Sequence, residues 1–277
     1  MLSGLVSYSD SDDDKSEESN DCHISNNSDE RGVKRSHSQE VNLETKKVKQ
    51  SAGILPIPDT IKSLFADKSQ PYQDDPEKHG GRIRSFAHEE GSWATHVHIP
   101  YAYDSRFENL VQELLLCLRP LDFKPIDNFH ISLSRTVSLR HHWIKSLTDS
   151  LQAKARMLHK CYCEMVGVKL YTNDEKNRTF VAVEVQSHPD VLRDYILAVD
   201  SCLEEFGLQK YYKDPSFHLS VGWCVGDVLP DVLEEQRRQL QAVLDRHLHT
   251  DSDLKLIPVD QIQCKAGNKS FTFTLDT

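Results

Sequence analysis

The sequence predicts an α+β fold with two similar halves that face each other across a central cleft. From residue 96 onward the order strand, helix, strand, helix, strand occurs twice. Alternating, β-branched segments indicate the strands, and a 3.6-residue apolar period indicates the helices. The middle strand of each passage carries the same pattern, Phe-His-aliphatic-Ser-aliphatic, at 129–133 and at 217–221. This repeat predicts two related lobes whose middle strands meet in one cleft.

The elements follow one another along both passages. The first passage predicts a strand at 96–101, a helix at about 106–118, a strand at 128–135, a helix at about 138–155 and a strand near 164–171. The second predicts a strand at 180–185, a helix at about 189–206, a strand at 217–223, a helix at about 231–247 and strands near 259–265 and 270–275. The passages are too long to be the units of a solenoid, so they indicate a weak internal duplication.

The net charge of −10, from 33 Lys and Arg against 43 Asp and Glu, excludes some function classes. A protein that coats duplex nucleic acid needs clustered Lys and Arg to neutralise phosphates, so this class is not expected. A site that reads one phosphate or one RNA end remains compatible with the charge. No run of about 18 apolar residues occurs, which predicts that no membrane is a partner. The seven cysteines lack a CxxC pair and are typical of reduced, intracellular thiols.

Residues 1–50 differ in composition from the rest of the chain. They contain 11 acidic and seven basic residues, ten serines and no Phe or Trp, which predicts a disordered acidic, serine-rich tail. Within it, Lys34-Arg35 and the cluster 46–49 (Lys-Lys-Val-Lys) are separated by ten residues. This spacing matches a bipartite nuclear-import signal, although a solvated charge run is the alternative. We therefore expect a nuclear location, an import receptor as a partner, and one folded domain over 51–277, with a short helix near Pro58.

The duplicated pattern places polar side chains together on one strand face. Side chains alternate along a strand, so the apolar residues at 129, 131 and 133 form a core face, as do those at 217, 219 and 221. His130 with Ser132, and His218 with Ser220, then share the opposite face at a separation of roughly 7 Å. A bare His-x-Ser is weak evidence, since a third copy occurs in the tail at 23–25. The five-residue agreement in equivalent positions favours a function over buried or merely exposed histidines.

Two imidazoles and two hydroxyls in one pocket suit the cleavage of a phosphodiester by an internal 2′-hydroxyl. A neutral His takes the proton of the attacking hydroxyl, and a protonated His donates to the leaving 5′-oxygen. The ordinary imidazole pKa of about 6.5 allows both forms near neutrality. The serine hydroxyls can donate to the non-bridging oxygens, where charge develops. This chemistry requires no metal and no cofactor.

At these residues the chain resembles the two-histidine (2H) phosphoesterase superfamily, whose members carry two His-aliphatic-Ser/Thr-aliphatic strands in a bilobal, pseudo-two-fold fold. Three further features narrow the resemblance to the U6 small nuclear RNA phosphodiesterase family. They are the 88 residues between His130 and His218, the segment 211–218 (Tyr-Tyr-Lys-Asp-Pro-Ser-Phe-His) and the tail segment 5–9 (Leu-Val-Ser-Tyr-Ser). The resemblance covers about 51–277, and neither His-x-Ser motif departs from it.

The resemblance implies two antiparallel sheets flanked by helices. It also implies a monomeric nuclear 3′-to-5′ exoribonuclease that trims the oligouridine or adenosine-ended tail of U6 spliceosomal RNA and leaves a 2′,3′-cyclic phosphate. The partner would be the single-stranded 3′ end of this RNA. Carried over by motif, His130 is the proton acceptor and His218 the proton donor. The remaining substrate contacts that it implies are Ser132, Ser220, Ile131, Tyr212, which stacks on a base, and the loop residues Asp214, Pro215 and Ser216.

Several alternatives remain at this stage. The same imidazoles would serve another 2H activity, such as a 2′,3′-cyclic or 2′–5′ phosphodiesterase, and a non-catalytic RNA- or protein-binding module would keep the fold. Tyr212 could equally be an ordinary loop aromatic. His96 and His98 share a strand face but have no Cys or acidic partner nearby, so we expect exposed histidines rather than a metal site. Trp223 continues an apolar face, which predicts a core residue.

Overall fold

The computed structural model describes residues 89–276, and the predicted tail, import signal and short helix lie outside them. Four helices alternate with strands in this part of the chain. The helices are α1 (Ser105–Cys117), α2 (Ile144–Ala155), α3 (Val191–Glu204) and α4 (Glu234–Thr250). The strands are β1 (Ser92–Pro100), β2 (Lys124–Pro125), β3 (His130–Ser132), β4 (Val137–Arg140), β5 (Cys161–Thr172), β6 (Arg178–Ser187), β7 (His218–Val225), β8 (Leu256–Val259), β9 (Gln261–Ala266) and β10 (Lys269–Thr274).

The strands form one antiparallel sheet in the order β10-β9-β1-β3-β7-β6-β5-β8, with β4 paired to β1 and β2 paired to β7. The two halves of this order, each of four strands, meet where β3 pairs with β7 through Ile131 and Leu219. The prediction of an α+β fold with antiparallel strands and two related halves is confirmed. The two predicted sheets are continuous through this single residue pair, and the motif strands are the two central strands.

The halves in space are not the two passages along the chain. β5 ends the first passage but pairs with β6 of the second, whereas β9 and β10 end the second passage and pair on the side of β1. Each passage therefore gives its last strands to the opposite half. The repeat of elements along the chain could not reveal this exchange, because partner choice depends on which strand edges are free.

Two helix pairs cover the sheet. α1 packs against α4, and α2 packs against α3. α1 begins where Asp104 accepts hydrogen bonds from the backbone N–H groups of Arg106 and Phe107, which caps the helix. At β7, Gly222 permits close packing, since a Cβ there would lie 2.4 Å from Leu115 Cδ2. No helix among the described residues has the length and apolar character needed to cross a membrane.

The sequence misplaced the start of the second helix. The segment predicted as helix from about 138 begins with β4, in which Val137 and Leu139 are buried while Ser138 is half-buried and Arg140 exposed. This four-residue strand pairs with β1, and one 3₁₀ turn joins it directly to α2. Because the strand is so short, the apolar period of the whole segment is dominated by the helix that follows it. The short strands β2 and β8 were not predicted.

Candidate active site

The crossing of β3 and β7 brings both His-x-Ser motifs to one face of the sheet. The antiparallel register that pairs Ile131 with Leu219 sets His130 beside Ser220 and Ser132 beside His218. Ile131 and Leu219 point to the opposite face and are completely buried. The two imidazoles and two hydroxyls therefore occupy alternate corners of a four-residue patch, as the alternation of side chains predicted.

Both catalytic candidates are anchored in the same way. Nδ1 of His130 lies 2.9 Å from the backbone carbonyl oxygen of Asn128, and Nδ1 of His218 lies 2.7 Å from that of Ser216. A carbonyl can only accept a hydrogen bond, so Nδ1 donates in both rings. In the neutral form each Nε2 then carries the lone pair. The chain thus presents two Nε2 atoms as the groups that can exchange protons.

The surroundings of His218 fix its ring from the side of β5 and β6. Tyr171 stacks on the imidazole with ring centroids 4.3 Å apart, and the Tyr171 hydroxyl lies 2.8 Å from Ser216 Oγ. Burial, together with the charges of His130 and Lys169, lowers the pKa of His218 to about 4. A bound phosphodiester would oppose this effect, because a negative charge favours the protonated imidazole.

His130 lies beside two further histidines that the sequence analysis expected to be exposed. Its ring centroid is 4.9 Å from that of His98 and 5.6 Å from that of His96, both on β1. His98 is buried, so the expectation of an exposed side chain was wrong there, because the adjacent strands β3 and β9 cover it. Burial lowers the pKa of His96 to about 3 and that of His98 to about 2, which keeps both rings neutral. No described group of three His, Cys, Asp or Glu side chains is arranged to hold a metal ion.

A cavity of about 550 Å³ opens on the His130 side of this patch. His130, Ser132 and Ser220 line it, whereas the other predicted site residues do not. Trp223 also lines the cavity, so its prediction as a core residue was wrong. A β-bulge explains the difference, because the register of β6 and β7 shifts between Val181 and Ala182 and the extra residue on β7 turns Trp223 to the face of Ser220.

The predicted nucleotide loop 212–216 lies next to His218 rather than in the cavity. One face of the Tyr212 ring is covered by the guanidinium of Arg135, 3.8 Å from the ring centroid, and Arg135 also pairs with Asp174. Only the other ring face could receive a base. Asp214 is exposed and Pro215 half-buried. Ile131 has no exposed surface, and its role as a substrate contact stays a prediction.

Four residues that were given no role from the sequence surround the motifs. They are Arg135, Tyr171, His96 and His98. The sequence did contain a signal for His96 and His98, because they are alternate histidines on one face of a mostly apolar strand. Arg135 and Tyr171 gave none, because each acquires its place through pairing between distant segments. The four-residue patch can supply a proton acceptor, a proton donor and two hydroxyl donors to one phosphodiester. The cavity lies on its His130 side, and the loop 212–216 lies on its His218 side.

Comparisons with known proteins show which family the chain belongs to. Residues 55–274 match the family model HVSL, described as an uncharacterised conserved protein. The chain is 41% identical over 224 residues to U6 snRNA phosphodiesterase 1 of Xenopus laevis, covering 80% of this chain and 89% of that protein. It is 40% identical over 223 residues to U6 snRNA phosphodiesterase 1 of Homo sapiens, covering 80% and 84%.

Among solved structures, the chain is similar to Kluyveromyces marxianus Usb1 with uridine monophosphate. The identity is 18% and the TM-score 0.47, covering 65% of this chain and 98% of that chain. The curated relatives and the family model each span most of the chain, and the matched region contains both His-x-Ser motifs. The chain therefore belongs to the U6 snRNA phosphodiesterase 1 family.

Proposed function

We propose that this chain is an RNA phosphodiesterase that trims the 3′ end of U6 snRNA in the nucleus as a monomer. It removes nucleotides from an oligouridine or adenosine-ended tail in the 3′-to-5′ direction and leaves a 2′,3′-cyclic phosphate, without a metal ion. One observation carries this proposal: two His-Ser pairs on adjacent strands, with both Nδ1 atoms held by backbone carbonyls, so that in each neutral ring Nε2 carries the lone pair. The basic clusters at 34–35 and 46–49 support nuclear import.

The reaction follows from these atoms. Nε2 of His130 accepts the proton of the 2′-hydroxyl on the penultimate nucleotide, and this oxygen attacks the adjacent phosphorus. Nε2 of His218 donates its proton to the 5′-oxygen of the terminal nucleoside as the P–O bond breaks. The hydroxyls of Ser132 and Ser220 donate to the non-bridging oxygens. The products are a free nucleoside and an RNA shortened by one residue with a cyclic phosphate.

The two sides of the patch fit the two products. The loop 212–216 adjoins His218, so the leaving nucleoside belongs on that side, where Tyr212 supplies an aromatic face. The cavity adjoins His130, so the retained nucleotide belongs there. This division supports an enzyme that acts on a chain end, since the surface beyond Tyr212 needs to hold only one nucleoside.

The proposal is tested with a purified chain and an RNA that ends in five uridines. We expect shortening by single residues, a cyclic phosphate on the product and unchanged rates in EDTA. A 2′-deoxy substitution of the penultimate nucleotide should stop cleavage of the last bond, whereas the same substitution of the terminal nucleotide should not. Activity that is lost with the chelator, or cleavage that survives the penultimate deoxy substitution, contradicts the mechanism. Binding without turnover would favour an RNA-binding module.

Tyr212→Ala is expected to weaken substrate binding by about 5- to 150-fold, because stacking of one base on an aromatic ring contributes roughly 1–3 kcal/mol. Tyr212→Phe is the matched control, since it keeps the ring and its contact with Arg135, and it should stay close to the wild-type enzyme. The measurement is KM and kcat with the uridine-tailed RNA. Equal values for the alanine and phenylalanine variants would assign Tyr212 to the loop structure alone.

A further inference from the structure

The cavity beside His130 continues beyond the reacting groups, toward the outer strands β1 and β9. At this far end His98 faces Gln263 across the two strands, and His96 faces Lys265. All four side chains line the cavity together with His130. They lie on β1 and β9, on the side of β3 that faces away from β7 and His218, so in the proposed reaction the retained part of the substrate occupies the far end.

Lys265 supplies the positive charge of this end. Its charge acts on His96, His98 and His130, where it lowers each pKa in addition to the effect of burial. The low pKa values of about 3 and about 2 leave His96 and His98 uncharged near neutrality. Among the described residues that line the cavity, Asp127 is the one acid, and it lies between β2 and β3 rather than on β1 or β9, where His96, His98 and Lys265 lie.

His98 shows that this end is built to hold a polar ligand. Its side chain is 8% exposed, and Gln263 hydrogen-bonds it, but Nδ1 is buried without a hydrogen-bond partner among the described residues. A buried polar atom without a partner destabilises the fold, so such atoms are rare unless a ligand satisfies them. An anion placed beside Lys265 would favour the charged ring, in which Nε2 donates to Gln263 and Nδ1 can donate to an oxygen of that anion.

We propose that Lys265 and His98 form a second phosphate subsite, which binds the phosphodiester on the 5′ side of the retained nucleotide. This rests on the proposed function, in which the ribose of that nucleotide lies beside His130. The 5′-side phosphate is the nearest anion of the substrate after the scissile one. A charge-assisted hydrogen bond to it contributes about 10- to 100-fold in binding. The subsite makes the enzyme prefer chains of at least three nucleotides.

The test compares two uridine trinucleotides that share the scissile 3′ linkage. In one the upstream linkage is a phosphodiester, and in the other it is an uncharged methylphosphonate. With the wild-type chain we expect kcat/KM for the first cleavage to be about 10- to 100-fold higher for the phosphodiester. Equal values for the two trinucleotides overturn the subsite, while failure to cleave either one, or a longer uridine tail, contradicts the proposed function instead.

Lys265→Met removes the charge and keeps a long side chain, and it should reduce the preference, the ratio of the two kcat/KM values, to less than threefold. Lys269→Met is the matched control, because it removes the same charge from the neighbouring strand β10. Lys269 lies over the Trp93 ring and is not among the residues that line the cavity. This control should keep the full preference. A preference that Lys265→Met retains, or that both variants lose equally, shows that Lys265 does not read the upstream phosphate.

Discussion

Alanine in place of His130 or His218 is expected to lower kcat by about 10²- to 10⁴-fold. In the proposed mechanism each imidazole performs one of two proton transfers, and a transfer of this kind contributes that factor. Nδ1 of each ring is held by a carbonyl two residues earlier, so no neighbouring side chain can present an Nε2 at the same point. The ring centroid of His98 is 4.9 Å from that of His130, but His98 is buried on β1 and is not expected to replace it.

The double variant, with both histidines replaced, should be little worse than either single variant, because the two transfers act in one step and removing either disables it. His249→Ala is the control, since His249 is exposed near the end of α4. The measurement is single-turnover cleavage of the uridine-tailed RNA, accompanied by thermal unfolding of each variant. A His130 or His218 variant that folds and keeps more than a tenth of the wild-type rate would contradict the assignment.

The sequence predicted the catalytic patch because its geometry is local. A period of two over five residues decides which side chains share a face, and no long-range contact can change that within β3 or the start of β7. The same rule failed four residues later at Trp223, where a bulge reverses the alternation. A bulge depends on the pairing of β7 with β6, which the pattern along β7 alone does not contain.

The surroundings of the patch depend on strand order, which the sequence did not determine. β1 lies between β3 and β9, so His96 and His98 face the cavity beside His130 and Lys265. With β1 at an edge, the same residues would be exposed, as expected from the sequence. The return of β9 and β10 to the first half, after the whole second half has been formed, creates the far end of the cavity.

The neutral histidines also predict a strong loss of stability in acid. His98 and His218 are both buried, and the pKa of each lies below the ordinary 6.5, at about 2 and about 4. Above pH 6.5 the folded and unfolded chains both hold these rings neutral, so the stability is fully present. Below it the unfolded chain binds protons that the folded chain does not, and each ring costs about 1.4 kcal/mol per pH unit.

Between pH 6.5 and 4.5 the two rings together should lower the free energy of unfolding by about 5 kcal/mol, which is comparable with the whole stability of an ordinary domain. The pKa values of His96 and His130 are lowered too, so His98→Gln, which removes one titrating ring and keeps a polar side chain, should reduce the pH dependence in this range by about a quarter to a third, even if it lowers stability at pH 8. His249→Gln, at an exposed position, should leave the dependence unchanged. Urea unfolding of the three proteins at pH 8, 6.5, 5.5 and 4.5 measures these slopes. Equal slopes for His98→Gln and the wild-type chain would mean that His98 gains its proton without unfolding, and the neutral imidazole cluster would then not limit the stability of the site.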